Sequence, residues 1–75
     1  MLNKTNAIYL TVKLNSNELA ILYHLSNGLT SSAIGEKLFL STRTVKGIRQ
    51  LLLIKSDSVN SAMLVAFAFR NGIVV

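Results

Sequence analysis

The chain is expected to be all-α. Four short helices pack as a bundle, the middle two form a helix-turn-helix, and an extended arm precedes them. Three observations lead there. Apolar residues recur three and four apart in four separate segments, the spacing that gathers them on one helix face. Each segment opens on a residue whose side-chain oxygen can accept an orphan backbone N–H, and two close on Asn-Gly. No proline occurs in the 75 residues, so nothing forbids these helices.

Residues 1–6 carry no pattern. Ile8, Leu10, Val12 and Leu14 then alternate with Tyr9, Thr11 and Lys13, which is strand periodicity. A lone strand is unstable, so this stretch must pair, dock on a helix or cross to a partner. Residues 1–13 are assigned to a strand-like N-terminal arm and residues 14–75 to the folded domain.

Asn15 or Ser16 starts the first helix, and Glu18 in its first turn complements the positive helix end. Leu19, Leu22 and Tyr23 have helical spacing, Ile21 adds apolar area, and Asn27-Gly28 closes the helix. Thr30 can cap a second helix over 31–39, where Ile34 and Leu38 share a face and Phe39 and Leu40 end the apolar run. Ser41 can cap a third over 42–55. Thr44 stands three residues on instead of Glu or Gln, so the full capping box is absent. Val45, Ile48 and Leu52 mark one side of this helix; Arg43, Lys46 and Gln50 fall on or near the other. Ser56, Asp57 and Ser58 form a turn. Asn60 can cap a fourth helix over 61–71, which Gly72 closes. Ile73, Val74 and Val75 make an apolar tail that folds back on the core.

A chain this short is one domain and buries only about 60% of its unfolded surface. Its 51% hydrophobic content is high for that size, so a partner is expected to cover some apolar surface. Eight Lys and Arg stand against Glu18, Glu36 and Asp57, a net charge of +5 that suits a polyanion such as nucleic acid or an anionic membrane surface. No apolar run approaches the roughly 20 residues of a membrane span. The most apolar run, 62–69, ends in Arg70-Asn71-Gly72 and reads as a buried helix. No signal peptide is visible, so a cytoplasmic location is expected.

Enzyme chemistry finds no support. There is no cysteine, no Gly-rich phosphate loop and no acidic cluster for a metal. The three carboxylates are scattered, and His24, the single histidine, has no carboxylate or nucleophile near it and reads as a packing or surface residue. No cofactor and no small-molecule substrate are expected.

Two short helices joined by a tight turn, the second with cations on its free face, have the shape that fits a major groove. Gly28-Leu29-Thr30, Ile34-Gly35-Glu36-Lys37-Leu38, Leu40-Ser41-Thr42-Arg43-Thr44-Val45-Lys46 and the ending Phe67-Ala68-Phe69-Arg70-Asn71-Gly72-Ile73-Val74 carry a resemblance. In this register the chain resembles the LuxR/GerE-type helix-turn-helix DNA-binding domain over residues 14–74. The Leu-Ser-x-x-Thr-Val-Lys segment is fairly specific alone.

The resemblance implies a third helix lying in the major groove of double-stranded DNA, with base contacts from Lys46, Gly47 and Gln50. Lys46 suits guanine O6 or N7 and Gln50 suits adenine, while Gly47 leaves one reading position silent. Lys37, Ser41, Arg43, Thr44 and Arg49 are the candidate phosphate contacts, which carry affinity without reading sequence. Arg49 stands where many members have an aliphatic residue, so it is expected outside the core. In the family register Leu64, Val65, Ala68 and Phe69 face inward, leaving Met63, Ala66, Phe67 and Arg70 as an outer stripe. That stripe would join two copies into a homodimer, with half-sites about 10 bp apart. The competing reading packs the stripe under the arm.

The sequence departs from the family in two places. Asn17, Ala20, Ile21 and Tyr23 make the first helix less charged, and Leu51, Leu52, Leu53 and Ile54 add outward apolar surface to the third. Two functions from different classes follow. The first is a sequence-specific transcription regulator, or its effector domain, acting on RNA polymerase by contact or obstruction. The alternative is a protein-interaction module of the same fold that dimerises with or inhibits another regulator. A role like that of a sigma factor's DNA-reading region fits the fourth helix and the Asn-Gly-Ile ending poorly.

Overall fold

The computed structural model describes residues 13–74. Four helices follow one another: α1, Ser16–Ser26; α2, Ser31–Leu38; α3, Thr42–Lys55; and α4, Ser61–Arg70. Among the described residues there is no strand. The strand-like arm lies outside the described residues except for Lys13, as does Val75 of the tail.

Every helix opens on a side-chain cap. Asn15 Oδ1 accepts the Glu18 N–H at 2.8 Å and Glu18 Oε1 accepts the Asn15 N–H at 2.9 Å, a complete capping box. Thr30 accepts from Ala33 N–H at 3.2 Å, Ser41 from Thr44 N–H at 3.0 Å, and Asn60 from Met63 N–H at 2.9 Å. Each such cap is worth about 1 kcal/mol to its helix.

The helix ends are equally regular. After α1, Leu29 N–H reaches back to the His24 carbonyl at 3.1 Å and Gly28 N–H to that of Leu25 at 3.0 Å. After α4, Ile73 and Gly72 make the matching bonds to Ala68 and Phe69. Both motifs need a left-handed residue, and Gly28 (φ +85°) and Gly72 (φ +66°) supply it without steric cost. After α3 the same place is taken by Asp57 at φ +54°, and after α2 by Phe39 at φ +58°. That turn of Phe39 ends α2 at Leu38, one residue before the expected boundary. Asn71 likewise follows α4 as its cap instead of ending it.

Ile21 and Leu22 of α1, Ile34 of α2, Val45 and Leu52 of α3, Leu64 and Ala68 of α4, and Val74 form one buried cluster. Leu14, Leu29, Leu40 and Ile73 pack against it from the connections and ends. Both α1 and α3 pack on each of the other three helices. The segment after α4 folds back as the apolar tail suggested. No helix among the described residues is long and apolar enough to cross a membrane.

One ion pair ties the start of α1 to the end of α3. Lys55 Nζ donates to Glu18 Oε1 at 2.9 Å and Oε2 at 2.8 Å, and also to the Lys13 carbonyl at 3.1 Å. Glu18 is buried at 3% exposure. Burial alone would raise its pKa, but the Lys55 hydrogen bonds, the Asn15 N–H and the Lys55 charge together outweigh it and hold Glu18 below its ordinary value.

The register of α4 differs from the expected one. Leu64, Phe67, Ala68 and Asn71 are buried, an i, i+3, i+4, i+7 stripe, and the Asn71 amide closes it by donating to the Phe67 carbonyl at 2.8 Å. Phe67 is therefore inside at 7% exposure and Phe69 outside at 49%, the reverse of the sequence reading. Met63 and Arg70 are exposed, whereas Val65 and Ala66 are half-buried.

Two outcomes follow. In urea denaturation Phe67→Ala should lose about 3 kcal/mol, as buried aromatic truncations do, whereas Phe69→Ala should lose no more than about 0.5 kcal/mol. Equal losses would refute the buried stripe. Glu18→Gln should be roughly 1–2 kcal/mol less stable at neutral pH, a hydrogen-bonded charge discounted for the solvent around Lys55. Because Glu18 is depressed in the fold, its contribution is whole above the ordinary carboxylate value and fades as pH falls through the lower folded one. The two stability curves should therefore converge in acid; a constant gap down to the lowest pH would refute the assignment.

Candidate nucleic-acid interface

The α2–turn–α3 unit is built around a close backbone approach. A Cβ on Gly35 would sit 2.5 Å from the Leu40 carbonyl oxygen, so α2 can meet the turn this tightly only with hydrogen at that position. The Gly35 carbonyl in turn accepts the Leu40 N–H at 2.9 Å. Phe39 reverses the chain, Leu40 drops against the core, and Ser41 starts α3.

Within α3, Val45 and Leu52 are buried and Ile48 half-buried, so the opposite stripe must face out. Arg43, Lys46, Gly47 and Gln50, at i, i+3, i+4 and i+7, are all exposed. The three expected base-reading positions therefore share one free face. Among the candidate phosphate contacts, Lys37, Ser41, Arg43 and Thr44 are exposed, and Arg49 is half-buried at the edge, outside the core cluster. Among the described residues none of Lys37, Arg43, Lys46 and Arg49 is held in an ion pair. Helix α3 has no Asp or Glu of its own, so the stripe is uniformly positive apart from its neutral members.

Ser41 and Thr44 are coupled: the Ser41 hydroxyl accepts the Thr44 N–H and donates to Thr44 Oγ1 at 2.9 Å. Among the described residues the hydroxyl hydrogen of exposed Thr44 is therefore not used in this pair and can donate to a ligand. Gly47 has open space around it, with nothing within 4 Å of where a Cβ would stand. The outward apolar surface expected from the 51–54 run is present, because Leu51 and Ile54 are both exposed. No group of three or more metal-ligating side chains occurs among the described residues.

The sequence pattern of the bacterial regulatory proteins of the luxR family matches residues 12–64, which covers α1, α2, α3 and the start of α4. The chain belongs to the luxR family. It is a helix-turn-helix domain of the DNA-binding, transcription-regulating kind. Over 71 residues it is 38% identical to the transcriptional regulatory protein YxjL of Bacillus subtilis, a match covering 95% of this chain and 33% of YxjL. Over 72 residues it is 31% identical to a Pseudomonas aeruginosa protein named as a transcriptional regulator, covering 96% of this chain and 35% of that protein. The chain thus spans about a third of the length of these relatives. No solved structure matches the chain.

Three features of this luxR-family site were not anticipated: the left-handed Phe39, the Gly35–Leu40 approach, and the Lys55–Glu18 pair that anchors the far end of α3. The first two had a signal, since a turn this short between helices needs a left-handed residue and little room. The ion pair had none.

Because Gly47 sits mid-helix in open space, Gly47→Ala should raise stability by about 1 kcal/mol, read as a higher urea midpoint. A lowered midpoint would mean that the space is not open.

Proposed function

We propose that this domain binds double-stranded DNA in a sequence-specific way, with the first two turns of α3 in the major groove, and that two copies bind together. One observation carries the reading: Arg43, Lys46, Gly47 and Gln50 form a single exposed stripe whose cations are in no ion pair among the described residues. Lys46 and Gln50 would read base edges, and Lys37, Arg43 and Arg49, with the Ser41 and Thr44 hydroxyls, would hold phosphates. The names of the relatives support a role in transcription regulation, which this domain would exert on RNA polymerase by contact or obstruction.

Pairing would use the outer side of α4. With Phe67 turned inward, the apolar members of that surface are Met63, Phe69 and the half-buried Ala66, with exposed Arg70 beside them. Three phosphate-binding cations per copy make six in a dimer, enough for steep salt dependence.

Anisotropy titrations of random-sequence duplex DNA test this. From about 50 to 200 mM salt, affinity should fall on the order of a thousandfold. Lys46→Ala should weaken binding about tenfold or more on a selected sequence, and Met63→Asp should reduce the salt slope to about half by separating the copies. A well-folded chain that binds no duplex at low salt would overturn the proposal.

Exposed Leu51 and Ile54 favour a second reading, a protein-interaction module. It predicts partner binding that Ile54→Asp abolishes and Lys46→Ala spares. Phe67 cannot serve as its surface probe, since it is buried.

A further inference from the structure

At 94% exposure, Phe39 is the most exposed of the large apolar residues among the described residues. Its backbone is left-handed at φ +58°, a conformation that costs a residue with a Cβ roughly 1–2 kcal/mol. The equivalent places after α1 and α4 are glycines. Phe39 therefore brings this domain neither packing nor a relaxed backbone, although Gly or Asn would make the same turn with less strain.

Its surroundings indicate what the ring meets. In the chain it stands between exposed Lys37 and exposed Arg43, two residues before the Ser41 cap that opens α3 and its cationic stripe. An apolar protein surface pressed on the ring would have to strip water from both cations. DNA would not, because its phosphates satisfy the cations while its grooves offer apolar groups.

We propose that Phe39 is a further DNA-contacting residue, its ring packing on an apolar group of the duplex, either a thymine 5-methyl or a deoxyribose face. Phenylalanine is one of the side chains that make such methyl contacts. The inference rests on the DNA-binding reading above and adds a contact that neutralises no phosphate.

The test compares wild type with Phe39→Asn, Phe39→Leu and Lys46→Ala on an A·T-rich duplex, and on the same duplex with deoxyuridine replacing thymidine. Asn tolerates the left-handed turn, so the variant should melt no lower than wild type by circular dichroism. It should nonetheless bind roughly tenfold more weakly with an unchanged salt slope, whereas Phe39→Leu should keep most of the affinity. Deoxyuridine weakening wild type but not Phe39→Asn identifies the thymine methyl; equal binding of both duplexes by wild type identifies deoxyribose. A Phe39→Asn chain that binds like wild type while Lys46→Ala weakens binding overturns this inference alone and turns attention to a protein contact for the ring. A folded wild type that binds neither duplex removes the DNA-binding reading and this one with it.

Discussion

A side chain at residue 35 would lie within 2.5 Å of the Leu40 carbonyl oxygen, and that steric limit sets how α2 meets α3. With hydrogen there, the backbones close up, the Gly35 carbonyl accepts the Leu40 N–H, and Phe39 must turn left-handed to join them. Leu40 and Ile34 can then both pack on the core cluster while the N-terminal turns of α3 project away from it. At the other end of α3, Lys55 is held by the Glu18 carboxylate and the Lys13 carbonyl. The helix is thus fixed near both ends, by steric contact at one and by charge at the other. A rigid mounting of this kind is what a helix needs if its free face is to meet a partner without first being ordered.

The two anchors differ in how they fail. The Gly35 contact is insensitive to pH and salt. The Lys55–Glu18 pair joins a buried carboxylate to a lysine side chain that remains 39% exposed, so solvent weakens it and acid removes it. A domain this short has little stability to spare. It also carries two strained left-handed residues, Phe39 and Asp57, a mid-helix glycine at Gly47 and a buried Ser31 hydroxyl without a hydrogen-bond partner among the described residues. Of these four, Gly47 belongs to the exposed stripe of α3 and Phe39 precedes it, and the other two stand away from it in the chain. The destabilising features are therefore not all concentrated where a ligand would bind, and only the first pair needs a functional explanation.

What could be read from the sequence divides along physical lines. All four helices were legible, with the N-caps Thr30, Ser41 and Asn60 and a choice of Asn15 or Ser16 at the first, because a cap and its N–H lie three residues apart and need no tertiary information. The free face of α3 was legible for a similar reason: cations and apolar residues alternate there with high contrast. Helix α4 offered no such contrast. Seven of its first eight positions are apolar, so periodicity alone could not choose between Phe67 and Phe69 as the inward ring. The neighbouring helices and the buried Asn71 amide made that choice. The Glu18–Lys55 pair spans 37 residues, and a local reading saw in Glu18 only a charge suited to a helix start.

The proposed docking also accounts for the uneven character of α3. From Arg43 to Gln50 its stripe runs about 10 Å along the axis, at 1.5 Å per residue, which is comparable to a major groove about 12 Å wide. Leu51 and Ile54 begin where that length ends, so a helix entering the groove by its N-terminal turns would leave both clear of the phosphates. Apolar side chains there would cost nothing in affinity, and they sit on the same helix as Lys55, whose charge is already committed to Glu18. Among the described residues the cations near the N-terminal half are in no ion pair, and the cation at the C-terminal end is in one. The positive potential available to DNA is therefore concentrated at one end of the helix, which gives the docking a direction as well as a face.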